Sequence, residues 1–300
     1  MMMKYFFKLC ILLLLVIFNT NSVFAATSFP GLETITWKTG QVIGVSEMKS
    51  DPSTFLFEAG TGSRYGHVGL VVVEPDGVFV YEETPPNAQK SKIADFLART
   101  ATSTDGKLEA TVIEPTLELN PADQEKLIAT INEIIQKKTP YNFKIAMNAD
   151  SMNCSEFVYH AFQSIGRNVG EIEPFSAMNI HAFQGMLMRF LGTGDGLNAQ
   201  SKIVTPLSVI QSSSMRVVQA NLPVDQILSE ATILSAWTTE GGLDEFVQMI
   251  GLPTSIIEQL KTSASTQPYR PFPPSWRNLE CNLVMGGSHE IHSSRNTPMD

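Results

Sequence analysis

The segment His67-Val68-Gly69-Leu70-Val71-Val72-Val73-Glu74-Pro75-Asp76-Gly77-Val78-Phe79-Val80-Tyr81-Glu82-Glu83 constrains this chain more than any other. Two runs rich in β-branched and aromatic residues flank Glu74-Pro75-Asp76-Gly77. Proline fixes φ and glycine supplies a positive φ, so the segment reads as an antiparallel hairpin. With the turn at 74–77, Val73 faces Val78, and paired residue numbers share one sum. Gly69 then faces Glu82, and His67 faces Thr84. Side chains alternate, so His67, Gly69, Glu82 and Thr84 share one face while Glu83 points to the other. A loop of two or four residues keeps this register, and a loop of three inverts it.

Further elements read out around the hairpin. Ile35, Trp37, Val42, Ile43 and Val45 suggest short strands about a Thr39-Gly40 turn, and residues 46–66 read as a loop. A strand is expected at Glu109–Ile113. Asn120-Pro121-Ala122-Asp123 opens a helix in which Leu127, Ile131, Ile134 and Ile135 recur at helical spacing, ending before Pro140. A second helix is expected from Asn153 to about Gly166. A third is expected over roughly 177–191, before the loop Gly192-Thr193-Gly194-Asp195-Gly196. Short strands and turns follow at 202–219. Helical pattern with glycine breaks runs from Pro223 to about Ser263, and residues 264–300 read as an extended tail.

Composition limits the function classes. The chain has 300 residues, 43% of them hydrophobic, enough for a core without disulfide or metal staples. Three cysteines exclude a disulfide scaffold and a four-thiolate zinc site. A net charge of −9 gives no general attraction to nucleic acid or anionic lipid. Residues 1–25 carry Lys4 and Lys8, an apolar run from Leu9 to Phe18, and small residues ending at Ala25. This is the pattern of a cleaved signal peptide. The run falls short of the about 20 apolar residues a span requires. An exported protein, periplasmic or secreted, with no stable span after cleavage is expected.

Asn153-Cys154-Ser155-Glu156-Phe157-Val158 holds the candidate nucleophile. Asn153 serves as N-cap and Glu156 completes a capping box, putting Cys154 at the first helical position. There the dipole and the free amides favour a thiolate and can donate to an oxyanion. A buried structural cysteine, or a disulfide to Cys281, stands as the alternative. Among candidate bases, His160 lies about 240° around the helix from Cys154 and points away. His181 sits in an amphipathic stretch. His289 and His292 lie in the tail, one residue short of a zinc-helix spacing. His67 begins a strand after a glycine-containing loop, a common catalytic position. The hairpin puts Glu82 within reach of its ring; solvated strand-end charges are the other reading of Glu82 and Glu83.

Taken together, Tyr-Gly-His-Val-Gly-Leu-Val-Val, Val-Tyr-Glu-Glu, Thr-Pro-Tyr-Asn-Phe and Asn-Cys-Ser-Glu-Phe-Val resemble the circularly permuted papain-like amidases of the YiiX type. These are related to bacterial cell-wall NlpC-type cysteine peptidases and lecithin:retinol acyltransferase-like enzymes. The resemblance covers roughly residues 35–220. It implies an α+β, circularly permuted papain-like fold: an antiparallel sheet packed on helices. The expected division is a signal peptide at 1–25, a catalytic domain at 26–222, and a mainly helical extension with a tail at 223–300. It also implies Cys154 as nucleophile, His67 as general base, Glu82 as its orienting partner and Tyr141 in the oxyanion region, with no cofactor and no metal. Asn142 stands where the family has Asp after the Tyr, and Gln41 replaces another usual Asp. The implied chemistry is thiol hydrolysis of amides, on peptidoglycan peptides or other small amides. An acyl-lipid substrate, which Met186, Leu187, Met188 and Phe190 would suit if exposed, although their helical spacing reads as core, and a non-catalytic binding module are the alternatives.

Overall fold

The computed structural model describes residues 32, 35–46, 54–100, 109–143, 146–178, 200–222, 224, 228–239, 242–249 and 257–258. Its centre is the expected hairpin, β2 (His67–Glu74) paired with β3 (Gly77–Glu82). Val73 faces Val78 and Leu70 faces Tyr81, the register that the turn dictates. Only Pro75 and Asp76 lie between the strands, and Gly77 takes φ +148°, which a side chain would resist.

β1 (Val42–Val45) pairs with β2 on one side and with β5 (Ala110–Pro115) on the other. β4 (Gln89–Lys92) extends the sheet beyond β3, and β8 (Met215–Ala220) closes the opposite edge. Among the described residues this makes a six-stranded antiparallel sheet of order β4-β3-β2-β1-β5-β8, with β6 (Glu173–Pro174) and β7 (Lys202–Ile203) paired separately. α+β and antiparallel is the class expected.

Strand alternation builds a core on each face. Val68, Leu70, Val72, Phe79 and Tyr81 join Cys154, Phe157, Val158, Ala161 and Phe162 in one cluster. The helices on that face are α3 (Pro121–Lys137), α4 (Cys154–Gln163) and the short α5 (Pro206–Ile210). Ile43, Val45, Val71, Val78 and Val80 face the other way, against Ile93, Phe96 and Leu97 of α2 (Ile93–Thr100). Both α3 and α4 start where their caps predict: Asn120 accepts from the Asp123 amide at 2.9 Å, and Asn153 caps α4.

Three expectations change. Residues 35–38 form no strand; Ile35 and Trp37 instead fill the core on the α2 face. Within the expected loop 46–66, Thr54–Thr61 is a helix, α1. Phe55, Phe57 and Ala59 are buried together with Thr54 and Glu58, so burial follows no single amphipathic stripe. Part of that burial comes from the C-terminal extension, through α6 (Glu230–Thr239). The fully buried Trp237 of α6 meets Phe55 edge-on at 5.1 Å, and its indole N–H donates to Glu58 Oε2 at 2.8 Å. Third, the strands and turns expected at 202–219 include helix α5, capped by Thr205. The extension continues into α7 (Gly242–Met249), beginning at one of the predicted glycine breaks. Of the helix expected at 177–191, Ala177 ends a short 3-10 turn (Phe175–Ala177) and Met178 is extended; residues 179–191, the glycine-rich loop, the signal segment and the tail lie outside the described residues.

The contact of Trp237 with α1 makes α6 part of the fold. Trp237→Ala is expected to cost about 3–5 kcal/mol, read as a lower urea midpoint; an unchanged midpoint would show the contact to be idle.

Candidate active site

At the start of α4 the capping box is complete. Asn153 Oδ1 accepts from the amides of Ser155 and Glu156, both at 3.0 Å. Glu156 returns a carboxylate to the Asn153 amide at 3.3 Å and to its side-chain Nδ2 at 3.0 Å. Cys154 is therefore the first helical residue, fully buried, with a free thiol whose Sγ lies 3.9 Å from Ser155 Oγ. The cap also narrows the expected oxyanion donors. Asn153 takes the N–H groups of Ser155 and Glu156 through its side chain and that of Phe157 through its carbonyl. The N–H of Cys154 itself is the first-turn donor left for an oxyanion.

The hairpin register brings His67 and Glu82 together. His67 Nε2 and Glu82 Oε2 are 2.8 Å apart, and both residues are fully buried. By alternation this pair lies on the α2 face, where the His67 ring packs at 6.1 Å from the Phe96 ring. Gly69, between them on the same face, allows that approach. A Cβ there would meet Val80 Cγ1 at 2.4 Å and Phe96 Cε2 at 3.3 Å. The solvated reading of Glu82 and Glu83 does not hold, since neither is exposed.

Glu83 points to the α4 face, as the register requires. Both of its carboxyl oxygens are buried without a hydrogen-bond partner. Burial, and then the charge of Glu156, push Glu83 up to about 8, with His67 acting in the opposite direction. Burial likewise raises Glu156 to about 8, against hydrogen bonds from the Asn153 backbone and the Asn142 side chain. Glu83 thus feels both the first turn of α4 and His67. The helix end that carries Cys154 stands over the end of the sheet where β2 begins. The hydrogen bond joins His67 to Glu82 on the α2 face, while Cys154 packs on the α4 face at the start of α4.

Tyr141 approaches from a third direction. Its amide donates to Pro86 O at 3.0 Å, in the turn after β3, and it forms a bridge with Met152, two residues before Cys154. Its ring is buried and packs edge-on against Phe143 at 4.9 Å. Asn142 is buried, donates to Ala146 O at 2.7 Å and also bonds Glu156, so it supports the cap. Gln41 holds its own turn, accepting from the Lys38 amide at 2.9 Å and donating to Glu114 at 3.3 Å. His160 is half-buried on α4, stacked edge-on with Tyr159, and burial lowers its pKa. His181, His289, His292, Met186, Leu187, Met188 and Phe190 lie outside the described residues, as does Cys281.

Residues 37–219 match the family described as permuted papain-like amidase enzyme, YaeF/YiiX, C92 family. The chain belongs to this family. Among solved structures, the crystal structure of "metalloprotein yiiX from Escherichia coli O157:H7" has a TM-score of 0.53 and 22% identity. The match covers 62% of this chain and 98% of that one, and at this identity it speaks for the fold. No curated protein matches the chain. Among the described residues, no group of three or more His, Cys, Asp or Glu side chains is gathered to hold a metal ion. The permuted papain-like match ends at residue 219, so α6 and α7 lie beyond the YaeF/YiiX unit.

Two groups beyond the expected set touch Glu82: Gln89 of β4 and Arg99 of α2. A signal for α2 was present in the sequence, since Ile93, Phe96, Leu97 and Thr100 recur at helical spacing and all four are buried.

Glu83 and Glu156 give a pH prediction. Their folded-state pKa values lie above the usual carboxylate value of 4.5, so the native state holds protons that the unfolded chain releases. Stability is fully present below about 4.5 and is lost as pH rises toward about 8. Glu83→Gln is expected to flatten this slope and to be the more stable protein at pH 8 by on the order of 1–2 kcal/mol. Urea titrations from pH 5 to pH 8.5 check it; parallel curves for the two proteins would refute it.

Proposed function

We propose that the protein is an exported thiol hydrolase that cleaves amide bonds, in peptidoglycan peptides or other small amides, through an acyl-enzyme. The family supports a cysteine hydrolase in general. The observation that carries the finer reading is the His67–Glu82 hydrogen bond of 2.8 Å. It lies at the first residue of β2, the strand against which α4 packs, and α4 begins with Cys154. Export rests on the basic and apolar pattern of residues 1–25.

In this reading Cys154 Sγ attacks the substrate carbonyl carbon as its proton passes to His67. With Nε2 engaged by Glu82, the ring takes that proton at Nδ1. The carbonyl oxygen gains the electron pair and is received by the Cys154 N–H, with Tyr141 at the same region. Collapse of the adduct breaks the C–N bond, and the imidazolium returns its proton to the departing amine. Water, deprotonated by His67, then attacks the thioester and releases the acid and the free thiol. Glu82 holds the ring's orientation and stabilises its cationic form throughout.

Incubation with peptidoglycan stem-peptide fragments and with simple N-acyl amides, read by mass, tests the proposal. Cleavage is expected to vanish in Cys154→Ala and to fall by roughly 10²–10⁴-fold in kcat/KM in His67→Ala. Iodoacetamide should alkylate Cys154 in the native protein, and more slowly in His67→Ala. An unreactive Cys154 in the folded protein, or cleavage that survives in Cys154→Ala, overturns the reading.

A further inference from the structure

The geometry points to Arg99 as a positioning residue for the His67–Glu82 pair, with Gln89 as its auxiliary. The inference rests on the proposed reading in which His67 serves Cys154.

Glu82 is fully buried, and its two oxygens are used differently. Oε2 meets His67 Nε2 at 2.8 Å, while Oε1 accepts from Gln89 Nε2 at 3.2 Å and from the Arg99 guanidinium. A carboxylate held only by one imidazole is free to rotate about its last torsion. Donors from two other elements, β4 and α2, remove that freedom and keep Oε2 aimed at the ring. Phe96, three residues before Arg99 on α2, forms the wall between them. Its ring lies 6.1 Å from the His67 ring and 5.7 Å from the Arg99 guanidinium carbon. One face of α2 therefore supplies both the surface against which His67 packs and the cation that orients its partner.

The cation has a second consequence. Arginine keeps its charge throughout the working range. When His67 takes the thiol proton, attraction to Glu82 stabilises the imidazolium and repulsion from Arg99 opposes it. Arg99 thus keeps the proton from settling on His67, so that the ring can pass it to the leaving amine. Of the other titratable groups, Glu83, directly after β3, lies within electrostatic reach of His67 and also of Glu156 in the first turn of α4, the helix that Cys154 begins. The Arg64–Glu109 ion pair stands near the adjoining ends of β1 and β5.

The test follows the His67 ring by NMR across pH in the full-length protein, its signal assigned by its loss in His67→Gln. In Arg99→Gln the titration midpoint is expected to rise by about one pH unit, because the opposing charge is gone. In Arg99→Lys the charge remains but the planar fork is lost. There the midpoint should stay near wild type while kcat falls several-fold with KM unchanged. A purely structural role for Arg99 would move neither midpoint. A midpoint in folded Arg99→Gln that matches wild type overturns the inference. Should Arg99→Gln fail to fold, a shifted midpoint in Arg99→Lys does the same. The titration needs no substrate. A shifted Arg99→Gln midpoint in a protein without hydrolase activity would overturn the catalytic reading and keep the Arg99–Glu82–His67 coupling.

Discussion

The pairing register of β2 with β3 is the constraint on which the candidate site depends. A two-residue turn fixes it, and the period of two along each strand then separates Glu82 from Glu83. Adjacent residues with the same side chain acquire opposite surroundings. Glu82 enters the α2 face among donors: an imidazole, an amide and a guanidinium. Glu83 enters the α4 face beside another carboxylate and finds no hydrogen-bond donor. The first is a buried carboxyl group met by donors; the second has none, and burial raises its pKa to about 8.

The helix on the α4 face works under a similar economy of donors. A helix start has several unsatisfied N–H groups. Here the cap residue absorbs those that follow Cys154 and leaves the one belonging to the nucleophile. Asn142, Tyr141 and Glu156 tie the segment before the helix to the turn after β3. Strand end, helix start and the connecting segment are thus joined at one end of the sheet.

What the sequence made legible was local. Pro75-Asp76-Gly77 specified the turn, and parity then specified which glutamate faces His67. Asn153 and Glu156 specified the helix start to the residue. What stayed hidden depended on distant partners. Thr54–Thr61 is helical although its neighbourhood is rich in turn-forming residues, and part of its burial comes from Trp237, far along the chain. Ile35 and Trp37 look like strand residues because they are apolar, yet they fill a core without pairing. Arg99 is an ordinary surface-type residue on a helix. Its bond to Glu82 follows from how α2 crosses the β3–β4 edge, which no spacing along the chain records. The roles proposed for Cys154, His67 and Glu82 were read from the residues and the resemblance together, that of Tyr141 from the resemblance alone.

The contact between Trp237 and Glu58 separates two kinds of boundary. The family likeness stops at residue 219, but α1, which lies inside that likeness, is completed by α6 beyond it. A fragment cut at the family limit would keep every candidate catalytic residue. It would also carry a hole the size of an indole against Phe55 and leave Glu58 without its indole donor. In this chain the length that matches the family is shorter than the length whose side chains pack together.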